Sequence, residues 1–207
     1  MAVRIKTYPY GPLGANMYAV FSDTAFIVVD PCVDCSKVET DRCLEAIFIT
    51  HGHFDHFAAL DSWKRKYPEV PVYIHENDMS CLASAGDNLS RDFGYSYEYT
   101  YKAVSLDKVK GKDLLLGTLH FDYILTPGHS RGSCCLIFTY DNAKVMFSGD
   151  MLFAGSIGRT DLPGSDIRSM LSSIARLKGI KAQYEVYPGH GPATMLQREI
   201  ASNPFFN

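Results

Sequence analysis

The sequence carries no surplus of positive charge: Lys and Arg number 20 against 23 Asp and Glu in 207 residues, and no run of basic residues offers a phosphate-binding stripe. Nucleic acid is held through clustered cations, so it is excluded as an expected partner. Also missing is any run of about eighteen apolar residues, the length a membrane-spanning helix needs, so no membrane role is expected. The N-terminal MAVRIKTYPYGPLG lacks the charged, apolar and small-residue segments of an export signal, and the expected location is cytoplasmic. No fixed-period repeat and no linker divides the chain, which reads as a single domain over residues 1–207.

A disulfide framework is absent in the same sense. Six cysteines, Cys32, Cys35, Cys43, Cys81, Cys134 and Cys135, are present, but a cytosolic chain with a proper core needs no staples. A second close pair to complete a zinc site with Cys32 and Cys35 is lacking. That pair is either two buried thiols or, if CVDC opens a helix after the strand AFIVVD, a redox pair stabilised by the helix N-terminus. Cys134 and Cys135, adjacent in SCCLIF, should face opposite sides of one strand.

Hydrophobic residues make up 46% of the chain, enough for one sizeable core. IKTYPY, MYAVFS and AFIVVD read as three consecutive strands in a meander. AIFIT is a continuous apolar run suited to a strand covered on both faces. VPVYIH, LLLG, FDYILT, CCLIFTY, KVMFSG and YEVYPG are further strands. HFAALDSWKRKY places Phe57, Leu60, Trp63 and Lys64 at helical spacing, SDIRSMLSSIARL does so for Ile167, Met170, Leu171, Ile174 and Leu177, and PATMLQREIA reads as a helix with proline near its start. The class is α/β or α+β, built in layers. FGYSYEYTYK alternates strictly, with Phe93, Tyr95, Tyr97, Tyr99 and Tyr101 on one face; this predicts a half-buried edge strand or, in Tyr97 and Tyr99, an aromatic wall for a substrate pocket or a homodimer contact.

The chemistry concentrates in THGHFDH, where His51, His53, Asp55 and His56 follow directly on a strand. Histidine and carboxylate are the donors that divalent metals such as zinc accept, and a loop at a strand end can turn several toward one point. His129 in LTPGHSRGS, Asp150 in FSGDML and His190 in VYPGHGP also stand at strand ends beside a glycine. Sheets gather such loops into a shared cleft. His75 and His120 stand outside this set and read as structural or surface residues. Asp30 of VVDP either orients a ligand histidine or caps a turn. Arg159 either holds a substrate carboxylate or forms a salt bridge with Asp161 that fixes its own loop.

The order HxHxDH, histidine, aspartate, histidine resembles the metallo-β-lactamase superfamily over nearly the whole chain, and SGDMLFAGSIGRTDLPGSD is similar to its small hydroxyacylglutathione hydrolase (glyoxalase-II-like) branch. The resemblance implies a four-layered αβ/βα sandwich, two mixed sheets with helices on the outer faces. It implies two divalent metal ions, zinc first and iron or manganese next. His51, His53 and His129 would hold the first metal, Asp55, His56 and His190 the second, with Asp150 bridging. The implied activity is hydrolysis of a small acyl thioester such as S-lactoylglutathione by a metal-bridging hydroxide, with Asp55 and Asp150 as catalytic carboxylates and Arg159, Tyr97 and Tyr99 as candidate substrate contacts. The alternative is a mononuclear iron persulfide dioxygenase using His51, His129 and Asp150, and a third reading is a metal-stabilised binding module without catalysis. The missing export signal argues against a lactamase proper, and the missing basic surface against RNA processing.

Overall fold

The computed structural model describes residues 3–115 and 117–206; Met1, Ala2 and Asn207 of the expected domain, and Leu116 of the LLLG run, lie outside the described residues. Two six-stranded mixed sheets face each other. The first contains β1 (Arg4–Tyr8), β2 (Met17–Phe21), β3 (Ala25–Val29), β4 (Cys43–Phe48), β5 (Val72–Ile74) and β6 (Ala103–Ser105), in that order. The second contains β7 (Lys112–Leu114), β8 (Leu119–Leu125), β9 (Cys134–Tyr140), β10 (Ala143–Gly149), β13 (Glu185–Pro188) and β14 (Thr194–Met195), with β14 and β7 at its edges; β11 (Leu152–Phe153) and β12 (Ser156–Ile157) form a small separate hairpin. The meander holds: β1, β2 and β3 pair antiparallel in chain order, after which β4, β5 and β6 add in parallel.

Every residue of MYAVF and AFIVV is buried, because both faces of these strands are covered. Alternate side chains serve different layers. Tyr18, Val20, Ile27, Val29 and Phe48 point between the sheets, where they meet Phe121, Leu136, Phe138 and Phe147. Met17, Ala19, Phe21, Phe26 and Val28 point outward under α1 (Leu60–Lys66), whose Leu60 and Trp63 close that layer. On the far side, Cys135, Met146 and Val186 lie under α2 (Ile167–Lys178) and α3 (Leu196–Ser202). The result is helix, sheet, sheet, helix, the expected four-layered αβ/βα sandwich. Cys134 belongs to the central layer and Cys135 to the outer one, as their adjacency in a strand requires. Among the described residues no helix is long and apolar enough to cross a membrane.

Several boundaries differ from the sequence pattern. On α2 the buried stripe is Met170, Ser173, Ile174 and Leu177, while Ile167 and Leu171 are about half exposed. Asp166 caps this helix by accepting from the Ser169 amide at 2.8 Å, a contact worth about 1 kcal/mol. The last helix starts only at Leu196, since Thr194 and Met195 are drawn into pairing with β13. CVDC opens no α-helix: Cys35–Lys37 is a single 3-10 turn capped by Asp34. Cys32 and Cys35 are free and buried, their thiols donating to Ala15 O at 3.6 Å and Ser62 O at 3.3 Å. Burial, with Asp30 and Asp55 nearby, pushes the Cys32 thiol well above its ordinary pKa, the reverse of an activated thiolate.

FGYSYEYTYK forms no strand. Ser90–Phe93 is a 3-10 turn, and residues 95–100 lie outside any sheet. Their backbone is satisfied by loop partners instead of a ladder: Tyr99 N donates to Leu82 O at 2.7 Å, Tyr97 N to Ser90 Oγ at 3.1 Å, and Asn88 Nδ2 to Tyr97 O at 2.8 Å. The period of two survives as a ladder of rings. Tyr95, Tyr97, Tyr99 and Tyr101 follow one another at 5.6 to 6.3 Å between centroids.

Candidate metal centre

Each candidate donor sits just past the C-terminal end of a strand. His51, His53, Asp55 and His56 follow β4, His129 follows β8, Asp150 follows β10 and His190 follows β13. β8 and β10 flank β9 antiparallel on either side and β13 is parallel to β10, so their C-terminal ends share one edge. The first sheet therefore supplies four donors and the second three, meeting over the seam. After β4 the chain makes a 3-10 turn at Phe54–His56. That tight turn aims Asp55 and His56 at the cleft, which is why the helix expected from His56 begins only at Leu60.

The donors converge in three overlapping groups, His51 with His53 and His129, His51 with His56 and Asp150, and Asp55 with His56 and His190; within each group the donor atoms lie within 4.8 Å of one another. His53 Nδ1 is 3.1 Å from His51 Nε2 and 2.9 Å from His129 Nε2. Asp150 stands between the first and last of these groups, with Oδ2 at 3.4 Å from His129 Nε2 and 3.5 Å from His190 Nε2, and Oδ1 at 3.3 Å from His56 Nε2. Asp55 Oδ2 is 3.3 Å from His190 Nε2.

The arrangement fits cations better than it fits itself. His129 Nδ1 donates to Arg159 O at 2.9 Å and His56 Nδ1 to Asp30 Oδ2 at 2.8 Å. A carbonyl only accepts, so the proton of neutral His129 sits on Nδ1 and its Nε2 can turn a lone pair into the cleft; Asp30 favours the same arrangement in His56. His56 Nε2 and Asp150 Oδ1 are fully buried and, though 3.3 Å apart, make no aligned hydrogen bond with each other or with any other group, a cost proteins rarely bear without a ligand to offset it. Electrostatics point the same way. Burial holds His51 and His53 below the ordinary histidine range, His53 at about 3, with neighbouring imidazoles adding to the effect. Burial would raise Asp150 and Asp55, but His56 and His190 outweigh it and hold both carboxyls down. His56 in turn is raised well above its ordinary value, against burial, by Asp150, Asp55 and Asp30. The carboxylates recruit positive charge, which divalent ions would supply.

Two further carboxylates hold the donors in place. Asp30, in a left-handed backbone conformation at the end of β3, accepts from His56 Nδ1 and Thr50 Oγ1 with Oδ2 and from the Thr50 amide with Oδ1, each at 2.8 Å. It orients a donor histidine, one of the two roles its position suggested. Asp78 carried no sequence signal. Buried in the 3-10 stretch Glu76–Ala83, it accepts from Gly52 N at 2.8 Å, Ser130 Oγ at 2.6 Å and Gly132 N at 2.7 Å. It thereby ties the His51–His53 loop to the His129 loop. A Cβ on Gly132 would fall 2.7 Å from Asp78 Cγ, so only glycine permits this approach.

A cavity of about 160 Å³ opens on His53, Asp55, His129, Asp150 and His190. Arg159 lies on its rim, but its guanidinium is engaged by Asp161 through Nε and Nη2 at 2.7 and 2.8 Å, both residues exposed. The loop-fixing salt bridge is thus the contact formed. Tyr97 and Tyr99 do not line the cavity. Tyr97 stacks behind Phe54 at 5.7 Å, and Tyr99 is buried with its hydroxyl donating to Ala58 O. From that segment it is Phe93 that reaches the cavity. His75 caps the stretch at Asn77, and His120 pairs with Asp113 at 2.7 Å on the surface.

The comparisons with known proteins agree with this geometry. The family model described as the metallo-beta-lactamase superfamily matches residues 10–190. A "Probable metallo-hydrolase YqgX" of Bacillus subtilis is 37% identical, covering 98% of this chain and 97% of the relative. A "Hydroxyacylglutathione hydrolase GloC" of Haemophilus influenzae is 31% identical, covering 99% of each. The solved structure of BLEG-1 B3 metallo-beta-lactamase superposes with a TM-score of 0.86 at 34% identity, covering 99% of this chain and all of the other. TTHA1623 in a di-iron-bound form gives 0.79 at 32%, covering 97% and 99%. With a matching family model over most of its length and relatives above 30% identity across nearly all of it, this chain belongs to the metallo-beta-lactamase superfamily, as a metal-dependent hydrolase.

Proposed function

We propose that the protein hydrolyses a small acyl thioester at a pair of divalent cations. His51, His53 and His129 would hold one, Asp55, His56 and His190 the other, and Asp150 would face both. The observation that carries this reading is the convergence of seven donor residues on one seam, with His56 Nε2 and Asp150 Oδ1 buried, facing each other and without an aligned hydrogen bond. When bound, such a pair would lower the pKa of water towards ~7 and polarise an acyl carbonyl. The chain's own groups do the rest. Asp150, in contact with both histidine groups, fixes their spacing and offers an acceptor to the proton of the attacking water. Asp30 and the Arg159 carbonyl keep His56 and His129 in the tautomer that presents Nε2.

A thioester suits this cleft because a thiolate departs without a proton donor. The titratable side chains on the cavity wall are the metal-facing ones and Arg159, so no separate acid stands ready for an amine leaving group. The name of the Haemophilus influenzae relative supports a thioester, and the di-iron form of TTHA1623 supports a pair of ions while leaving zinc, iron and manganese all as candidates. The likeness to BLEG-1 makes a β-lactam the competing acyl substrate.

The test is metal analysis of freshly purified protein together with turnover of a thioester panel including S-lactoylglutathione, a chromogenic cephalosporin, and glutathione persulfide with oxygen monitoring. About two divalent ions per chain and thioester hydrolysis abolished by His53→Ala are expected. About one iron per chain with oxygen uptake would replace this reading with the persulfide dioxygenase. Preferential lactam opening would replace the thioester, and metal binding without turnover of any probe would leave a binding module.

A further inference from the structure

Beyond its metal-facing donors the cavity has a wall that no motif announced. Leu13, Phe54, Leu89, Phe93 and Leu162 line it, and they come from four separate segments of the chain. Two of them sit on unusual backbone: Leu13 has φ 55° and Leu89 φ 66°, the left-handed region that residues with a branched side chain avoid. Glycine or asparagine is the usual occupant there. Leu13 is nonetheless 57% exposed, and Phe93 is 48% exposed while resting on Phe54 at 5.4 Å. Leu89 is buried, so Leu13 is the wall residue that is both open to solvent and on left-handed backbone, with Phe93 also exposed; exposed apolar side chains at the rim of a cavity mark a binding surface more readily than a core.

The polar inventory is as telling. Apart from the metal-facing donors, the one charged side chain on this wall among the described residues is Arg159, and Asp161 already occupies it. A hydroxyl carried against the buried side of the wall, Phe54 and Leu89, would lose water and meet no side-chain partner there. The cavity of about 160 Å³ is shared between the metal-facing donors and this wall, which leaves room beside the centre for a short unbranched or singly branched tail.

We infer that this wall is the acyl-binding pocket and that it selects an apolar acyl group of about four to five carbons over acetyl and over hydroxylated acyl groups. The inference rests on the thioester reading above and narrows it, because it assigns the side chain of the acyl group rather than the bond that breaks. The bond broken is still acyl carbon to sulfur, with water supplying the carboxylate oxygen and the thiol leaving.

The experiment uses the metal-loaded protein and one leaving thiol, N-acetylcysteamine, esterified with acetyl, butyryl, pentanoyl, octanoyl and 3-hydroxybutyryl groups. Expected is a rise in kcat/KM of roughly two- to four-fold per methylene, ending near pentanoyl, with butyryl preferred to 3-hydroxybutyryl by about ten-fold or more. Leu13→Gly removes one wall residue and relieves its backbone strain, so folding is preserved, and the pentanoyl-to-acetyl ratio should fall at least about three-fold. Leu89→Gly is the second variant, expected to flatten the same ratio. A flat chain-length profile, equal turnover of the hydroxylated ester, or ratios unmoved in both variants would overturn the pocket assignment. Absence of turnover across the whole series would instead strike the thioester reading itself.

Discussion

An alanine at position 189 should disable the centre without removing a single donor. Gly189 precedes His190, and its backbone is pinned on both sides: its amide donates to Gly149 O at 2.9 Å and its carbonyl accepts from Asn16 N at 2.7 Å. A Cβ built there would meet Asp150 Oδ1 in hard overlap and fall 2.6 Å from His56 Cε1. Carbon atoms pack at about 3.5 to 4.0 Å, so the His56 ring must retreat by roughly 1 Å. It has little room to do so, since the ring is wholly buried and its Nδ1 is held by Asp30. Gly189 does not occupy the left-handed region, so the backbone itself accepts alanine and the damage stays local. Misplacement of reacting groups by about 1 Å costs on the order of 100-fold in turnover, and overpacking of this kind costs about 1–3 kcal/mol in stability. The assay is thioester hydrolysis beside metal content per chain, with Gly86→Ala as control, where the nearest atom to the new Cβ is 3.8 Å away. Full metal content and near-parental kcat/KM in Gly189→Ala would refute the claim that Asp150 and His56 must stand where they do.

Other perturbations probe the supports around the cleft. Asp78→Asn turns an amide NH2 toward one of the N–H groups that Asp78 now accepts; a loss of about 1–3 kcal/mol in denaturant unfolding is expected, together with metal affinity weakened about 10- to 100-fold, and an unchanged metal titration would reduce Asp78 to a structural brace. Asp30→Ala leaves His56 Nδ1 without its acceptor, and competition with a chelator should show one of two ions lost first; simultaneous loss of both would contradict separate groups. Phe48→Ala empties the centre of the inter-sheet layer, where Phe48 meets Phe121 at 4.8 Å and Tyr73 at 5.3 Å, and should cost about 3–5 kcal/mol, read from chemical denaturation. Thiol labelling of the native protein should modify exposed Cys43 first and leave Cys32 and Cys35 untouched; comparable rates at Cys32 would revive a redox role for CVDC.

The donor histidines were legible in the sequence because coordination chemistry restricts residue type and because strand ends are marked by apolar runs that stop at a glycine. THGHFDH needs no long-range information to look unusual. Asp78 was illegible for the opposite reason. Its partners lie 26 and 54 positions away in the chain, and nothing in ENDMSCLA distinguishes a carboxylate that faces water from one that receives three hydrogen bonds. FGYSYEYTYK shows a period doing a different task from the one it usually signals. Alternation describes which side chains share a face, and stacked rings share a face as well as a strand does; only the backbone partners, Leu82, Ser90 and Asn88, decide between them. Likewise the helical spacing in HFAALDSWKRKY is real from Leu60 onward, but its first turn gives way to the geometry that aims Asp55 and His56.

The placement of the centre on a seam has a consequence for the two halves of the sandwich. Besides the apolar layer, they are stitched near the cleft by a short set of hydrogen bonds: Tyr18 Oη to Pro188 O at 2.6 Å, Asn16 Nδ2 to Pro188 O and Gly191 O at 3.0 and 2.9 Å, and Cys134 N to Thr50 O at 3.0 Å. Asn16 N to Gly189 O at 2.7 Å is a fifth stitch, and Asp78 adds two more by accepting from Ser130 Oγ and Gly132 N in the loop after β8. Each donor group draws on both halves, His51 and His53 with His129, His51 and His56 with Asp150, and Asp55 and His56 with His190. Ions bound there would therefore close the same seam that these hydrogen bonds close, and binding energy would appear as folding energy. His56 Nε2 and Asp150 Oδ1, which face each other without an aligned hydrogen bond, locate where that coupling would act, because they are buried polar groups whose cost falls when a cation arrives. A sandwich whose halves meet at their own reactive centre cannot open for substrate by parting the sheets. Access must come from above, across the loops that carry Leu13, Leu89 and Phe93, and it is on those loops that substrate preference can change while the donor set stays fixed.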